Sequence, residues 1–338
     1  MGAPKNLFDL LSCPSTGEEL TLLAGAMRAP SGASYPVRNG VPVLLRDPDQ
    51  KVEHEGELNV WNAYEPTLQF MFDSLPSDAL ILDLGSGNRA LDLPHVVRAD
   101  VVLTPHVDVV MDAHDLPFKD ESFSLVYASA VFEHLHTPWR AAEEIWRILK
   151  PGGFVIADCN FVFPFHGYPA VYFNASGEGM KRLFTKFTEL ACFAAPWQMP
   201  SYAIKAVLGE FFRLFHPKTE GDAKIIETLG ILQSLPLDDA DHRFDPKDAM
   251  RIAAATTYIG CKQPNGDDSL LPECVLKEWR ASPALQSRFP KPNGLVVQIA
   301  SERVENMFDW ARREGAAQHP EIAAWLESRV PFDKRGKG

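Results

Sequence analysis

Short apolar runs, each closing on an acid or a glycine, recur through the middle of the chain. Leu80-Ile81-Leu82 leads into Asp83-Leu84-Gly85-Ser86-Gly87-Asn88, and Val109-Val110-Met111 into Asp112-Ala113. Asp100 stands beside Val101-Val102, Phe123 to Ala128 is a further run, and Phe154 to Ala157 ends at Asp158. Runs without polar alternation read as parallel strands buried on both faces. Between the last two, Thr137-Pro138 reads as a helix start, with a capping hydroxyl and proline at the first helical position. Trp139, Ala142, Trp146 and Leu149 fall on one face of that helix, and Glu143 can pair with Arg147. Lys150-Pro151-Gly152-Gly153 then reverses the chain into the next strand. Strands alternating with helices make an open α/β sheet, whose ligands sit beyond the carboxyl ends of the strands.

The flanks follow other patterns. Tyr35 to Leu45 reads as an edge hairpin turning at Asn39-Gly40. Val60-Trp61, Tyr64, Leu68, Met71-Phe72 and Leu75 recur at helical spacing and predict a lid helix over the cofactor edge of the sheet. Phe187 to Phe215 predicts a sixth strand and helices, and Ala253 to Lys262 a final strand. The expected organisation is a small module at 1–46, a linker and lid helix at 47–79, and a sheet domain at 80–262 with a helical insertion around 196–250. A helical extension follows at 263–338.

The 338 residues are 46% hydrophobic and 23% charged, as in soluble globular proteins. No apolar stretch is long enough to span a bilayer and no signal peptide is evident, so a cytoplasmic protein with no membrane contact is expected. The net charge of -12 repels phosphate backbones and argues against nucleic acid as partner. Cys13, Cys159, Cys192, Cys261 and Cys274 form no close pair of the kind that zinc ribbons use.

In order, Asp83 to Gly87, Asp112-Ala113-His114-Asp115-Leu116-Pro117-Phe118, Glu133-His134 and Leu149-Lys150-Pro151-Gly152-Gly153 resemble the motifs of class I S-adenosylmethionine-dependent methyltransferases of type 11. The resemblance implies a Rossmann-like sheet of seven strands with helices on both faces, and S-adenosyl-L-methionine as cofactor. Arg89 stands where the family's third glycine would be. The implied cofactor-binding residues are Asp83, Gly85, Ser86, Gly87, Asn88, Asp100, Asp112, Ala113 and Ser129. Asp100 would accept from the ribose hydroxyls, with Asp108 the alternative, and Asp112 from the adenine amino group. Asp83 would organise the turn through water or backbone amides, close to the cofactor's amino-acid end.

Methyl transfer from a sulfonium is a direct displacement that needs alignment, and a base only when an alcohol attacks. His134 and His166 are the candidate bases, with Tyr168 and Glu133 as second choices, and each imidazole has a structural role as its alternative. The aromatic stretch Cys159 to Phe173 is the expected substrate wall, and it resembles a segment of methyltransferases associated with sugar and polysaccharide pathways. The acceptor read from this is a small molecule or sugar, most simply at oxygen. An RNA-modifying enzyme and a catalytically inactive cofactor-binding scaffold are the alternatives. Residues 7–45 resemble a Trm112-like zinc-ribbon domain that keeps only Cys13, with Thr16 in place of the second cysteine, so no metal is expected there. That module and the extension could serve a homodimer or pack on the main domain.

Overall fold

The computed structural model describes residues 7–47, 50, 52, 64–90, 93, 95–167, 170–263 and 273–318. It begins with α1 (Leu7–Leu10) and β1 (Thr21–Leu23), β2 (Ala26–Arg28), β3 (Ser34–Arg38) and β4 (Val41–Leu44), successive strands running antiparallel. Asn39 and Gly40 turn β3 into β4 with φ of 52° and 84°, the left-handed backbone a two-residue hairpin requires. After α2 (Pro66–Asp73) come β5 (Ile81–Leu84), β6 (Val96–Asp100), β7 (Val109–Met111), β8 (Phe123–Ala128), α3 (Pro138–Ile148) and β9 (Leu149–Asn160). Then follow α4 (Gly177–Leu183), β10 (Phe187–Phe193), α5 (Pro200–Leu214), α6 (Glu220–Ser234), α7 (Pro246–Ala249) and β11 (Ala255–Lys262). Beyond β11 the longer helices are α8 (Glu273–Ala281), α9 (Pro283–Arg288) and α10 (Pro292–Trp310).

The described strands form one sheet of eleven, in the order β1-β2-β3-β4-β7-β6-β5-β8-β9-β11-β10. This corrects the expected count of seven. β4 pairs in parallel with β7, Val43 opposite Val110 and Leu44 opposite Met111, so the N-terminal strands extend the main sheet. The join is apolar: Val43, Leu45, Val52, Val107 and Val110 are buried together. β11 runs antiparallel between β9 and β10.

Alternation along each strand divides the core between the two faces. Leu82, Val97 and Val126 pack with the buried side chains of α3 and α4, whereas Ile81, Val96 and Leu125 pack with those of α2 and α10. The described part of the lid helix starts at Pro66, where the Glu65 carboxylate accepts from the amides of Thr67 and Leu68. Trp61 lies outside the described residues. No described helix is long and apolar enough to cross a membrane.

Around α3 the local expectations need correction. Ala141, Ala142, Ile145 and Ile148 face the core, while Trp139 is 54% exposed. The Thr137 hydroxyl pairs with His136 Nδ1 at 2.8 Å and does not cap the helix. Arg147 pairs with Glu144 and Asp120, and Glu143 with Lys186. Lys150 to Gly153 is no separate turn. β9 runs through it, with an offset in its pairing to β8.

Asp108 is engaged by Arg98. From the loop after β6 its carboxylate accepts from the Arg98 amide at 2.9 Å, Nε at 3.0 Å and Nη2 at 3.1 Å, in a buried pair. Removing one partner strands the other charge in the interior. Asp108→Ala should therefore lower the unfolding free energy in urea by about 3–5 kcal/mol, and adding Arg98→Met should recover most of that loss.

Candidate active site

At the tip of β5 the backbone turns on Gly85 and Gly87, with φ of 72° and 58°. A Cβ on Gly85 would sit 2.4 Å from Val131 Cγ2, so the position has neither the conformation nor the space for a side chain. Asp100, at the tip of β6, fixes the turn from the next strand. Its Oδ2 accepts from Gly87 N–H at 2.8 Å and its Oδ1 from Val102 N–H at 2.9 Å. Burial raises the Asp100 pKa, and those amides oppose the shift. Beside it, Ser86 Oγ and Asn88 Oδ1 are buried without a hydrogen-bond partner among the described residues. Buried polar atoms left open beside a cradle of glycines fit a polar ligand better than a closed loop.

Asp83 takes a different role from the expected one. Tyr64 Oη donates to its Oδ2 at 2.7 Å and Arg89 Nε at 2.9 Å, and the Arg89 guanidinium lies 4.6 Å from the centre of the Tyr64 ring. Burial raises the Asp83 pKa, against the pull of Arg89 and Tyr64. The carboxylate thus holds Tyr64 and Arg89, and its bonds are to side chains instead of amides. Arg89, where the family's third glycine would be, folds back under the turn instead of obstructing it.

At the tip of β7, Asp112 Oδ1 accepts from the His114 amide at 2.9 Å and from the ring Nδ1 at 2.6 Å. Burial works to raise the Asp112 pKa, but His114 outweighs it and the carboxyl titrates below the usual range. Its side chain is 32% exposed, beside buried Ala113, so an ionised acceptor faces the crevice.

The tips of β8 and β9 carry the remaining chemistry. Ala130, with φ of 53°, donates its amide to Asp158 Oδ1 at 2.8 Å, and Ser129 also bonds to that carboxylate. Glu133 and His134 lie in a single 3₁₀ turn, Phe132–His134. His134 Nδ1 lies 2.8 Å from Ala170 O and His166 Nδ1 3.0 Å from Pro164 O. A carbonyl only accepts, so both Nδ1 atoms carry the proton and both Nε2 atoms carry the lone pair. His166 Nε2 accepts from the Asn160 amide at 3.2 Å, and the same amide donates to Glu133 Oε1. The two rings meet edge to face with centres 5.3 Å apart. Burial holds His134 below the usual histidine range. It also pushes Glu133 up to about 8 and Asp158 up to about 6.

The structure therefore brings His134 and His166 together, while Tyr168 lies outside the described residues. A cavity of about 520 Å³, lined by Phe161, Val162, Phe163, Pro164, Val207, Glu210 and Phe211, opens where the substrate wall was expected. Reading the sequence missed Asp158 and Asn160. Their signal was present, two polar residues closing an apolar strand at the level where other strands end in acids.

The comparisons agree with this geometry. Residues 82–157 match the family model described as "Methyltransferase domain". Over 106 residues the chain is 33% identical to a tRNA (carboxymethyluridine(34)-5-O)-methyltransferase of Arabidopsis thaliana, covering 27% of this chain and 26% of that protein. Over 112 residues it is 37% identical to an uncharacterized methyltransferase of Mycobacterium leprae, covering 28% and 42%. The chain thus spans less than half the length of these relatives. Among solved structures, the YcgJ protein of Bacillus subtilis aligns over 59% of this chain and 97% of its own at 16% identity, with a TM-score of 0.35. A Haemonchus contortus phosphoethanolamine N-methyltransferase 2 aligns over 58% and 52% at 17% identity, with a TM-score of 0.34. These structural likenesses are too distant to add to what the strand order shows. Over residues 82–157 the chain is thus similar to a methyltransferase domain.

Two expectations follow from the geometry. A left-handed backbone costs a non-glycine residue about 1–2 kcal/mol. Gly85→Ala should therefore weaken S-adenosylmethionine binding by about tenfold or more in calorimetry. Asp158 binds its proton more tightly folded than unfolded, so its contribution to stability is lost as pH rises from the ordinary value of 3.8 to about 6. Asp158→Asn keeps an oxygen for the Ala130 amide and removes that slope. Its melting temperature should exceed that of the parent by a margin that widens as pH rises from about 4 to about 7.

Proposed function

We propose that the protein methylates an oxygen of a small-molecule or sugar acceptor, with an imidazole at the acceptor end receiving the proton. The observation that carries the reading is the pair of Nε2 lone pairs of His134 and His166, gathered beyond the tips of β8 and β9, at the same end of the parallel strands as the glycine turn. When bound, the cofactor supplies a methyl group on a positively charged sulfur. Ser86 and Asn88 would hold its amino-acid end, Asp100 its ribose hydroxyls and Asp112 with Ala113 its adenine. The open groove beside Phe161 and Phe163 would take the body of the acceptor against its mostly apolar lining. Of the two rings, His134 has the more accessible lone pair. Among the described residues its Nε2 has no hydrogen-bond partner, whereas that of His166 accepts from Asn160.

The match to a tRNA methyltransferase supports a second reading, an RNA acceptor, and the Trm112-like stretch would then be a remnant of a partner surface. The net charge of -12 weighs against it. A scaffold that binds cofactor without turnover is the third. In the leading reading the protein works in the cytoplasm, as its free cysteines Cys13, Cys159, Cys192 and Cys261 suit, and a homodimer is compatible with it.

Radiolabelled S-adenosylmethionine incubated with a metabolite pool and with an RNA pool separates the three. Label is expected in a metabolite; label in RNA alone, or in neither, overturns the proposal. Once an acceptor is identified, His134→Ala should lower kcat about a hundredfold while the affinity for S-adenosylmethionine stays within about twofold.

A further inference from the structure

We infer that Glu133, His134 and His166 form a binding site for a first-row divalent cation. One oxygen of Glu133 and one nitrogen of each imidazole lie within 4.8 Å of one another, close enough for a single ion to bond all three after small side-chain shifts. The tautomers are already set. Each ring donates Nδ1–H to a backbone carbonyl, Ala170 O and Pro164 O, and such an outer hydrogen bond orients metal-ligating histidines and makes their Nε2 more basic.

An independent observation points to the same place. Glu133 is 0% exposed, and its Oε2 has no hydrogen-bond partner among the described residues. The carboxyl is contacted by the Cys159 thiol and the Asn160 amide, and no lysine or arginine among the described residues reaches it. Its nearest basic group is His166 Nε2, 3.9 Å from Oε1. A cation between them satisfies the carboxylate and both lone pairs at once.

The backbone favours the approach. Gly167, with φ of 73°, lets the 164–167 loop fold back, and a Cβ there would stand 3.0 Å from His134 Cε1. Asn160 keeps its bond to Glu133, and its longer contact to His166 gives way to the ion. Two imidazoles and one carboxylate suit manganese, iron, cobalt or zinc better than magnesium or calcium. Three protein ligands leave positions open for solvent or substrate.

The consequence for catalysis rests on the acceptor position proposed above; the site itself does not. An ion held here would lower the pKa of a coordinated hydroxyl, so that its proton could pass to solvent. With the ion in place both rings are ligands, and the deprotonating role assigned to them passes to the cation they hold.

The test uses full-length, tag-free protein stripped with a chelator and titrated with cobalt(II), read by visible d–d absorption. One saturable equivalent per chain is expected. Glu133→Gln and His166→Ala should each weaken it by about tenfold to a hundredfold. His216→Ala, remote from the site, should leave it unchanged. Absence of saturable binding to the parent protein, or unaltered binding to both site variants, overturns the inference, and the titration of the parent does not depend on the variants folding. Calorimetry with S-adenosylmethionine on the same stripped sample keeps the two readings apart. Cofactor binding without cobalt binding removes the cation site alone, and cobalt binding without cofactor binding upholds the site while removing the methyltransferase reading.

Discussion

One carboxylate ties the site together. Asp100 accepts from the amide of Gly87 on the neighbouring loop and from Val102 on its own, which joins the tips of β5 and β6 at a distance set by two hydrogen bonds. That bridge needs Gly87 to present its N–H toward β6, which in turn needs the left-handed backbone at Gly85 and Gly87. Two donors do not exhaust a carboxylate, which has about four acceptor positions. The group that braces the turn can therefore also accept from a ligand, and bracing fixes where that ligand lies. Burial opposes the charge on Asp100, and the amides that make the bridge also lower the cost of keeping it ionised.

The neighbouring acids are handled differently, and the difference sorts function from support. Asp83 is engaged by Arg89 and Tyr64, and Asp108 by Arg98 through its backbone amide and guanidinium. Those two carboxylates have a guanidinium partner, which favours a fixed structural role. Asp112 is held ionised by a histidine and stays partly open. An arginine at position 89 also replaces what a third glycine would do in the resembling family. Where small size would let helix and turn approach, here an ion pair and a cation over an aromatic ring hold them.

Features governed by local chemistry were legible in the sequence. The turn at Gly85 and Gly87, the Asn39-Gly40 hairpin and the acids ending the strands each depend on residues within a few positions of one another. Contacts between distant segments were not. Nothing in the sequence around Asp83 announces Tyr64 as its donor, and the pairing of Val43 with Val110 makes eleven strands where seven were expected. Trp139 shows the limit of periodicity. The helical spacing of Trp139, Ala142 and Trp146 was read correctly, but the apolar face that turns inward is the one carrying Ala141, Ala142, Ile145 and Ile148.

At the acceptor end the electrostatics follow from what the chain leaves out. Glu133, Asp158 and Asp100 are buried or nearly so, and burial raises the pKa of all three. Among the described residues they are held by amides, a hydroxyl and a thiol, not by lysine or arginine. A buried acid held this way is stabilised when positive charge arrives and strained when it leaves. The sulfonium of the cofactor is one such charge, and loss of the methyl group neutralises it. Asp158, ionised above about pH 6, would then favour the charged cofactor over the spent one, and so favour exchange of product cofactor for fresh. An arginine among them would remove that preference, which is a physical reason for the guanidinium groups to stand at Asp83 and Asp108 instead.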